Sequence, residues 1–187
     1  MKKQGKKRHT ARASRKLLVG IGGGIVLAAA LAVGLWLGLA EPLPPMGPEE
    51  GKLAPDFTLE DMEGNPFTLS DLRGRPVLLY FWQTNCPDCR VVFPDVIELF
   101  QLYEDQGLEL VTVSLDHDED TLREYLEENV PAGPVNLWGS YEAAMDVIDL
   151  YGMPYVPHGV LIDERGIIRS RGTHPRMPTE FDIEDIL

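Results

Sequence analysis

Two cysteines, Cys86 and Cys89, are the residues of this 187-residue sequence whose type and spacing most directly indicate chemistry. They enclose Pro87 and Asp88 in a Cys-x-x-Cys motif. A disulfide stabilises a fold by closing a loop of the unfolded chain, and a loop this short saves little entropy. The pair is therefore better suited to thiol–disulfide exchange. Zinc binding is the alternative, but two sulfurs cannot complete a tetrahedral site and no second Cys pair or His cluster exists, so we expect no metal.

The elements around this pair predict how it is positioned. Residues 76–82, PVLLYFW, form a continuous apolar run that is typical of a strand buried on both faces. Residues 86–106 follow with helical periodicity. Cys86 then lies at the helix N-terminus, where unpaired N–H groups and the helix dipole lower a thiol pKa. Cys89, one turn later, is predicted to be the shielded resolving thiol. The apolar residues of the helix recur at spacings of three and four: Val92, Val96, Leu99 and Tyr103.

The remaining pattern alternates strands and helices, which predicts an α/β fold with a mixed central sheet and flanking helices. A final short helix is expected to start at Thr179. The other predicted elements are a hairpin turning at residues 64–65, a helical turn at 70–72, a buried strand at 108–115, helices at 120–129 and 141–151, a loop at 131–139, and a hairpin of strands 159–163 and 167–171.

Charge divides the sequence at about residue 40. Residues 1–16 carry eight Lys or Arg and no acid, and residues 17–40 carry no charge. As a helix, the apolar segment would be about 36 Å long, enough to cross a hydrocarbon core of about 30 Å. We therefore predict a basic cytoplasmic tail, one transmembrane helix and an exported domain. Cleavage of a signal peptide after the small residues Gly38 and Ala40 is the alternative.

The sequence after the apolar segment is strongly acidic. It holds all 30 acidic residues against nine basic ones, a formal charge of −21. Such a surface repels nucleic acid, so we expect no nucleic-acid partner. Residues 41–53 are rich in proline and predict an extended linker, which leaves residues 54–187 as the folded domain.

Several motifs resemble the thioredoxin superfamily. Residues 81–90, FWQTNCPDCR, are similar to its active-site region, and Pro94 matches the proline within its active-site helix. Residues 54–57 (APDF) and 69–74 (LSDLRG) resemble the opening of the TlpA/ResA-like branch, which is membrane-tethered and extracytoplasmic. Residues 151–157 (YGMPYVP) resemble its cis-proline loop.

The resemblance implies a thioredoxin-like fold and a set of roles around the cysteines. Pro157, after a cis bond from Val156, would face the disulfide, and the Val156 backbone would pair with an incoming substrate strand. Pro154 is the rival candidate for the cis-proline. Trp82, Pro87 and Asp88 would support the site. The implied activity is a thiol–disulfide oxidoreductase of the cell membrane that needs no cofactor beyond its redox-active disulfide. Its partners would be exported protein disulfides, possible substrates of cytochrome c maturation among them, and a membrane electron donor.

Three positions depart from the family pattern. Val92 stands where the branch often has a glutamate, and Tyr80 stands where thioredoxin has a buried aspartate. The residue after the cis-proline is His158 instead of the common Thr. A histidine titrates near neutrality, so His158 is a candidate proton shuttle, as is Asp88. The alternatives are an exposed loop residue for His158 and ordinary helix-end solvation for Asp88.

Other functions fit the sequence less well. A peroxiredoxin-type peroxidase would have Thr or Ser at Gln83 and Pro at Leu79. A DsbA-like oxidase would have His at Asp88. A Sco-like copper-binding and delivery protein uses two Cys and a His, but the Cys spacing differs, and His158 is the residue that supports this alternative.

Overall fold

Seven strands and four α-helices make up the part of the chain that the structure, a computed structural model, describes: residues 42–187. The strands are β1 Thr58–Glu60, β2 Pro66–Thr68, β3 Val77–Trp82, β4 Glu109–Ser114, β5 Val135–Leu137, β6 His158–Ile162 and β7 Ile168–Thr173. The helices are α1 Pro87–Tyr103, α2 Glu119–Asn129, α3 Tyr141–Leu150 and α4 Glu180–Glu184. Short 3-10 helices span Leu69–Leu72 and Glu104–Gln106.

The predicted basic tail and transmembrane anchor, residues 1–16 and 17–40, lie outside the described residues. Within residues 42–187, none of the helices combines the length and the apolar character that a membrane span needs.

A five-stranded mixed sheet in the order β5-β4-β3-β6-β7 forms the centre of the fold. Its central strand, β3, is the apolar run predicted from the sequence, and every side chain of β3 is buried. β3 runs parallel to β4 and antiparallel to β6. The predicted mixed α/β fold is therefore confirmed, and the carboxyl end of β3 leads directly to the cysteine pair.

The two faces of the sheet carry separate hydrophobic cores because side chains alternate along β3. Leu79 and Phe81 belong to the core that α3 covers, and we call this side the back face. Leu78, Tyr80 and Trp82 belong to the core that α1 and α2 cover, and we call this side the front face. The front face is the one that contacts the cysteines.

Helix α1 ends earlier than predicted. It runs to Tyr103 and passes into the 3-10 helix Glu104–Gln106, which ends at Gly107 with φ 97°. A left-handed residue terminates a helix most readily when it is glycine, because glycine has no Cβ to clash. Pro94 lies inside the helix, where it is exposed.

The loop predicted at residues 131–139 contains a strand. β5 pairs in parallel with β4, with Val135 opposite Val111 and Leu137 opposite Val113. A strand of three residues is too short to show a period-two pattern, which explains why the sequence did not reveal it.

The predicted linker, residues 41–53, is not a free spacer in its second half. Gly51 N–H donates to Ile168 O (2.8 Å), and Ile168 N–H donates to Lys52 O (2.9 Å). These bonds pair the segment with the edge of β7, so the compact unit begins at Leu43, earlier than predicted. The prolines exclude a helix here but allow such edge pairing.

Candidate active site

The disulfide between Cys86 and Cys89 lies where β3 passes into α1. Cys86 is the N-cap residue of α1 and Pro87 is the first helical residue. The Cα atoms of the two cysteines are 5.2 Å apart. Cys86 is half-buried and Cys89 is completely buried. This placement agrees with an accessible attacking thiol and a shielded resolving thiol, while their reactivities stay a prediction.

The first turn of α1 directs an amide at the outer sulfur. Cys89 N–H donates to Cys86 Sγ at 3.1 Å. An N–H group at a helix N-terminus stabilises negative charge, so this geometry favours a thiolate at Cys86 over a thiolate elsewhere in the motif. The side chain of Asp88 lies in the same turn, is exposed, and forms no hydrogen bond or ion pair within the described residues.

The loop before β6 faces the disulfide. The Val156–Pro157 peptide bond is cis, as the resemblance implied, and Pro154 is not the cis-proline. Val156 O lies 4.0 Å from Cys86 Sγ, and Val156 forms no backbone hydrogen bond within residues 42–187. Thr173 Oγ1 donates to Pro157 O at 2.6 Å, which fastens the loop to β7. An open backbone beside the sulfur is what a substrate strand needs for pairing.

Aromatic side chains support the cysteines from below. Trp82 is completely buried, with its ring centroid 4.3 Å from that of Phe93 and 5.2 Å from that of Tyr125. Tyr80 stacks on Phe93 at 5.3 Å. These rings pack together in the front core, which also contains Cys89.

The positions that hold acidic groups in the resembling proteins are occupied by uncharged side chains. Tyr80 is buried, and its hydroxyl donates to Cys89 O at 3.4 Å. Burial raises the pKa of Tyr80 far above its usual value, so the phenol stays protonated. Val92 is buried in the front core. No carboxylate hydrogen-bonds either cysteine in the described part of the chain.

His158 does not reach the disulfide, which corrects its predicted role as a proton shuttle. It is the first residue of β6, 7% exposed, and pairs with Phe81 of the back face. Paired residues of an antiparallel sheet project to the same side, so His158 projects away from the cysteines. The alternative of an exposed loop residue is also wrong.

A guanidinium group is the polar neighbour of His158. Arg171 Nη2 lies 3.5 Å from His158 Nε2, while His158 Nδ1 is buried without a partner in the described residues. Burial, and secondly the charge of Arg171, lower the pKa of His158 from 6.5 to about 4. The imidazole is therefore neutral at pH 7 and serves as a core residue.

Asp116 is a site residue that the sequence analysis missed. Its buried carboxylate accepts from Thr84 N–H (3.1 Å), from Thr84 Oγ1 (2.6 Å) and from Ser114 Oγ (2.7 Å). Thr84 belongs to the turn that joins β3 to Cys86, so Asp116 holds that turn in place. One feature of the sequence could have revealed Asp116. It is an acidic residue directly after the predicted strand 108–115, and the carboxyl end of that strand, β4, adjoins the carboxyl end of β3.

This arrangement is suited to dithiol exchange. One sulfur is accessible and polarised by an amide, the second is one helical turn away, and an unpaired backbone lies beside them. Within residues 42–187, no three His, Cys, Asp or Glu side chains are grouped to hold a metal ion. Since His158 lies on the back face, the residue that supported copper binding is not at the cysteines.

Fold and site together define a thiol–disulfide oxidoreductase of the thioredoxin-like class. The chain belongs to the AhpC/TSA family, which residues 51–171 match. It is 33% identical over 134 residues to the thiol-disulfide oxidoreductase ResA of Halalkalibacterium halodurans, covering 70% of this chain and 74% of that protein. A second ResA, from Geobacillus thermodenitrificans, is 32% identical over 138 residues, covering 73% and 77%.

Solved structures give the same class. The crystal structure of the thioredoxin domain of a thiol-disulfide oxidoreductase from Bacteroides vulgatus superposes with a TM-score of 0.61 at 28% identity, covering 73% of this chain and 94% of that chain. A thiol:disulfide interchange protein from Bacteroides sp. gives a TM-score of 0.62 at 25% identity, covering 76% and 88%. These relatives and neighbours are named as thiol–disulfide exchange proteins. This agrees with Gln83 and Leu79, which occupy the positions where a peroxiredoxin would have Thr or Ser and Pro.

Proposed function

We propose that the protein reduces disulfides of exported proteins outside the cytoplasm, anchored to the membrane by residues 17–40 with its N-terminus in the cytoplasm. The observation that carries the proposal is the Cys89 N–H directed at Cys86 Sγ, beside the unpaired backbone of Val156. The basic segment 1–16 ahead of the apolar segment supports the orientation.

The reaction proceeds through a mixed disulfide. The Cys86 thiolate attacks one sulfur of the substrate disulfide, that S–S bond breaks, and the leaving sulfur takes up a proton. Cys89, on losing its proton, attacks the Cys86 sulfur and closes the Cys86–Cys89 disulfide, and the second substrate sulfur leaves and is protonated. Two electrons pass to the substrate. A dithiol donor in the membrane must return them by the reverse exchange.

Asp88 sets the expected direction of electron flow. A disulfide is more oxidising when its reduced thiolate is stabilised, and the exposed carboxylate of Asp88 opposes such stabilisation. The helix terminus acts in the opposite sense, by about 0.3–1 kcal/mol at an exposed site. Because the two effects roughly offset each other, we expect a potential nearer the thioredoxin value of about −270 mV than the DsbA value of about −120 mV.

Equilibration with glutathione redox buffers measures this potential. A midpoint more positive than about −180 mV, in the range of isomerases and oxidases, would contradict a reductant. A reporter that is active only outside the cytoplasm, fused after Leu187, should be active. A stable fusion with an inactive reporter would refute the location. Trapping in cells that carry Cys89→Ala should accumulate mixed disulfides through Cys86 and identify the substrates.

A further inference from the structure

A groove lies between α1, whose first turn carries the cysteines, and the segment that follows β7. Its volume is about 490 Å³. Its apolar wall on α1 consists of Val92, Val96, Leu99 and Leu102, and Met177 and Pro178 face them from the opposite side. Leu102 is 54% exposed and Leu99 is half-buried. Val92, Val96 and Pro178 are themselves buried, so the apolar surface that solvent reaches in the groove comes from Leu99, Leu102 and Met177.

Both walls of the groove are joined to the redox site. Val92 follows Cys89 by three residues on α1, so the two side chains share one face of the helix. The opposite wall begins after Thr173, whose hydroxyl holds Pro157 O at 2.6 Å. Each wall is therefore continuous in the chain with an element of the redox site, α1 with the cysteines and the end of β7 with Pro157.

The rim of the groove is acidic. Asp95, Glu98 and Glu180 line it together with His174, and no Lys or Arg is among the lining residues in the described part of the chain. All three carboxylate residues are exposed. A cationic side chain in an extended substrate would find opposite charge here, whereas an acidic one would be repelled.

We propose that this groove binds the substrate polypeptide next to its disulfide and selects segments in which an apolar side chain is flanked by Lys or Arg. The proposal rests on the proposed function, since it names the substrate class of the same site. The apolar side chain packs against Leu99 and Leu102, and the cationic side chains lie against Asp95 and Glu98. The selectivity arises from the rim and not from the net charge of the whole domain.

The test compares two peptides that share one intrachain disulfide and differ in the flanking segment, Lys-Leu-Lys or Glu-Leu-Glu. Pre-reduced full-length protein is mixed with each peptide, and samples are quenched in acid, alkylated and analysed by mass spectrometry for second-order rate constants. We expect the basic peptide to react about threefold to tenfold faster, as two exposed ion pairs would produce. The preference should decrease as the salt concentration rises.

Two charge-reversal variants separate the rim from the overall field. Asp95→Lys/Glu98→Lys should abolish or invert the preference. Glu124→Lys/Glu128→Lys is the matched control, because it makes the same charge change on exposed positions of α2, outside the groove. The control should keep the wild-type ratio. Equal losses of preference in both variants would refute binding in the groove. The preference would then come from the electrostatic field of the whole domain.

A third variant tests the apolar wall. Leu102→Gln should slow the reaction of the basic peptide more than that of a Lys-Ala-Lys peptide, because only leucine packs on the wall. Equal effects on the two peptides would overturn this contact. The wild-type reaction with glutathione disulfide distinguishes the two proposals. No reaction with any disulfide refutes the proposed function, whereas reaction with all of them but no peptide preference refutes the groove alone.

Discussion

Replacing Asp116 with Ala should destabilise the fold by removing the acceptor that holds the turn before Cys86. Asp116 is 5% exposed, and its carboxylate accepts hydrogen bonds from three donors, Thr84 N–H, Thr84 Oγ1 and Ser114 Oγ. The residue before Asp116 is also fixed to the end of β3, since Leu115 N–H donates to Trp82 O at 2.9 Å. The turn therefore depends on one side chain that is distant in sequence.

The size of the effect follows from what each donor can do afterwards. The two hydroxyls can rotate toward other acceptors, but Thr84 N–H cannot, and a buried unpaired donor costs about 1–3 kcal/mol. Part of this cost is offset because a buried carboxylate no longer has to be desolvated. We therefore expect Asp116→Ala to lower the free energy of unfolding by about 1–3 kcal/mol. Asp116→Asn keeps an acceptor for Thr84 and should lose about 1 kcal/mol.

Urea unfolding of the oxidised full-length protein, followed by far-UV circular dichroism, measures these differences. Asp146→Ala is the control, because the Asp146 side chain is exposed on α3 and forms no hydrogen bond in the described residues, and this variant should stay within about 0.5 kcal/mol of wild type. A double-mutant cycle with Thr84→Val should give a coupling of about 1–2 kcal/mol. Additive effects, or equal losses for the two alanine variants, would refute the role assigned to Asp116.

Three further predictions concern the cysteines and His158. Cys86 should be alkylated much faster than Cys89 in the two single Cys→Ser variants, because Cys86 is half-buried and Cys89 fully buried; equal rates would reverse the assignment. Asp88→His should make the potential more positive in glutathione buffers, and a more negative value would refute the electrostatic argument. Because burial and Arg171 lower the pKa of His158 from 6.5 to about 4, the unfolded chain binds this proton more readily than the folded one. The associated stability is fully present above pH 6.5 and is lost toward pH 4, by about 3 kcal/mol, and His158→Gln should remove that loss in urea titrations.

Exposed His174 provides the control for the last of these measurements. His174→Gln should follow the pH dependence of the wild-type protein, because this residue is exposed at the end of β7. If His158→Gln and wild type lose stability in parallel between pH 6.5 and pH 4, then the imidazole of His158 is not the group that titrates.

The sequence predicted the redox pair well because its signals are local. An apolar run, a Cys-x-x-Cys motif and a helical periodicity follow one another within a few residues, so the strand, the N-cap position of Cys86 and the burial of Cys89 could be inferred without tertiary information. The cis bond before Pro157 came from the family resemblance and not from a local pattern.

His158 shows how a shift of one residue changes a prediction. The strand was expected to begin at Gly159, which left His158 in a loop and free to turn toward the cysteines. β6 begins at His158 instead. Since side chains alternate along a strand, His158 must then share the back face with Val160, while Gly159 faces Met177 on the other side. Sequence patterns do not determine strand boundaries sharply. Here a boundary shifted by one residue decided whether the His158 side chain could face the cysteines.

Arg171 explains why the remaining features could not be predicted. Its guanidinium donates to Pro48 O, which is 123 residues away, and to Tyr151 O at 2.8 Å. The same group contacts His158 Nε2. Arg171 thereby joins three segments: the predicted linker, the end of α3 and the first residue of β6. The loop that contains Val156 lies between the end of α3 and β6. The cysteines thus lie on the front face, while Arg171 on the back face contacts Tyr151 and His158, which flank the loop that contains Val156. No periodicity or motif encodes contacts between segments so far apart in sequence, so only the folded chain could reveal them.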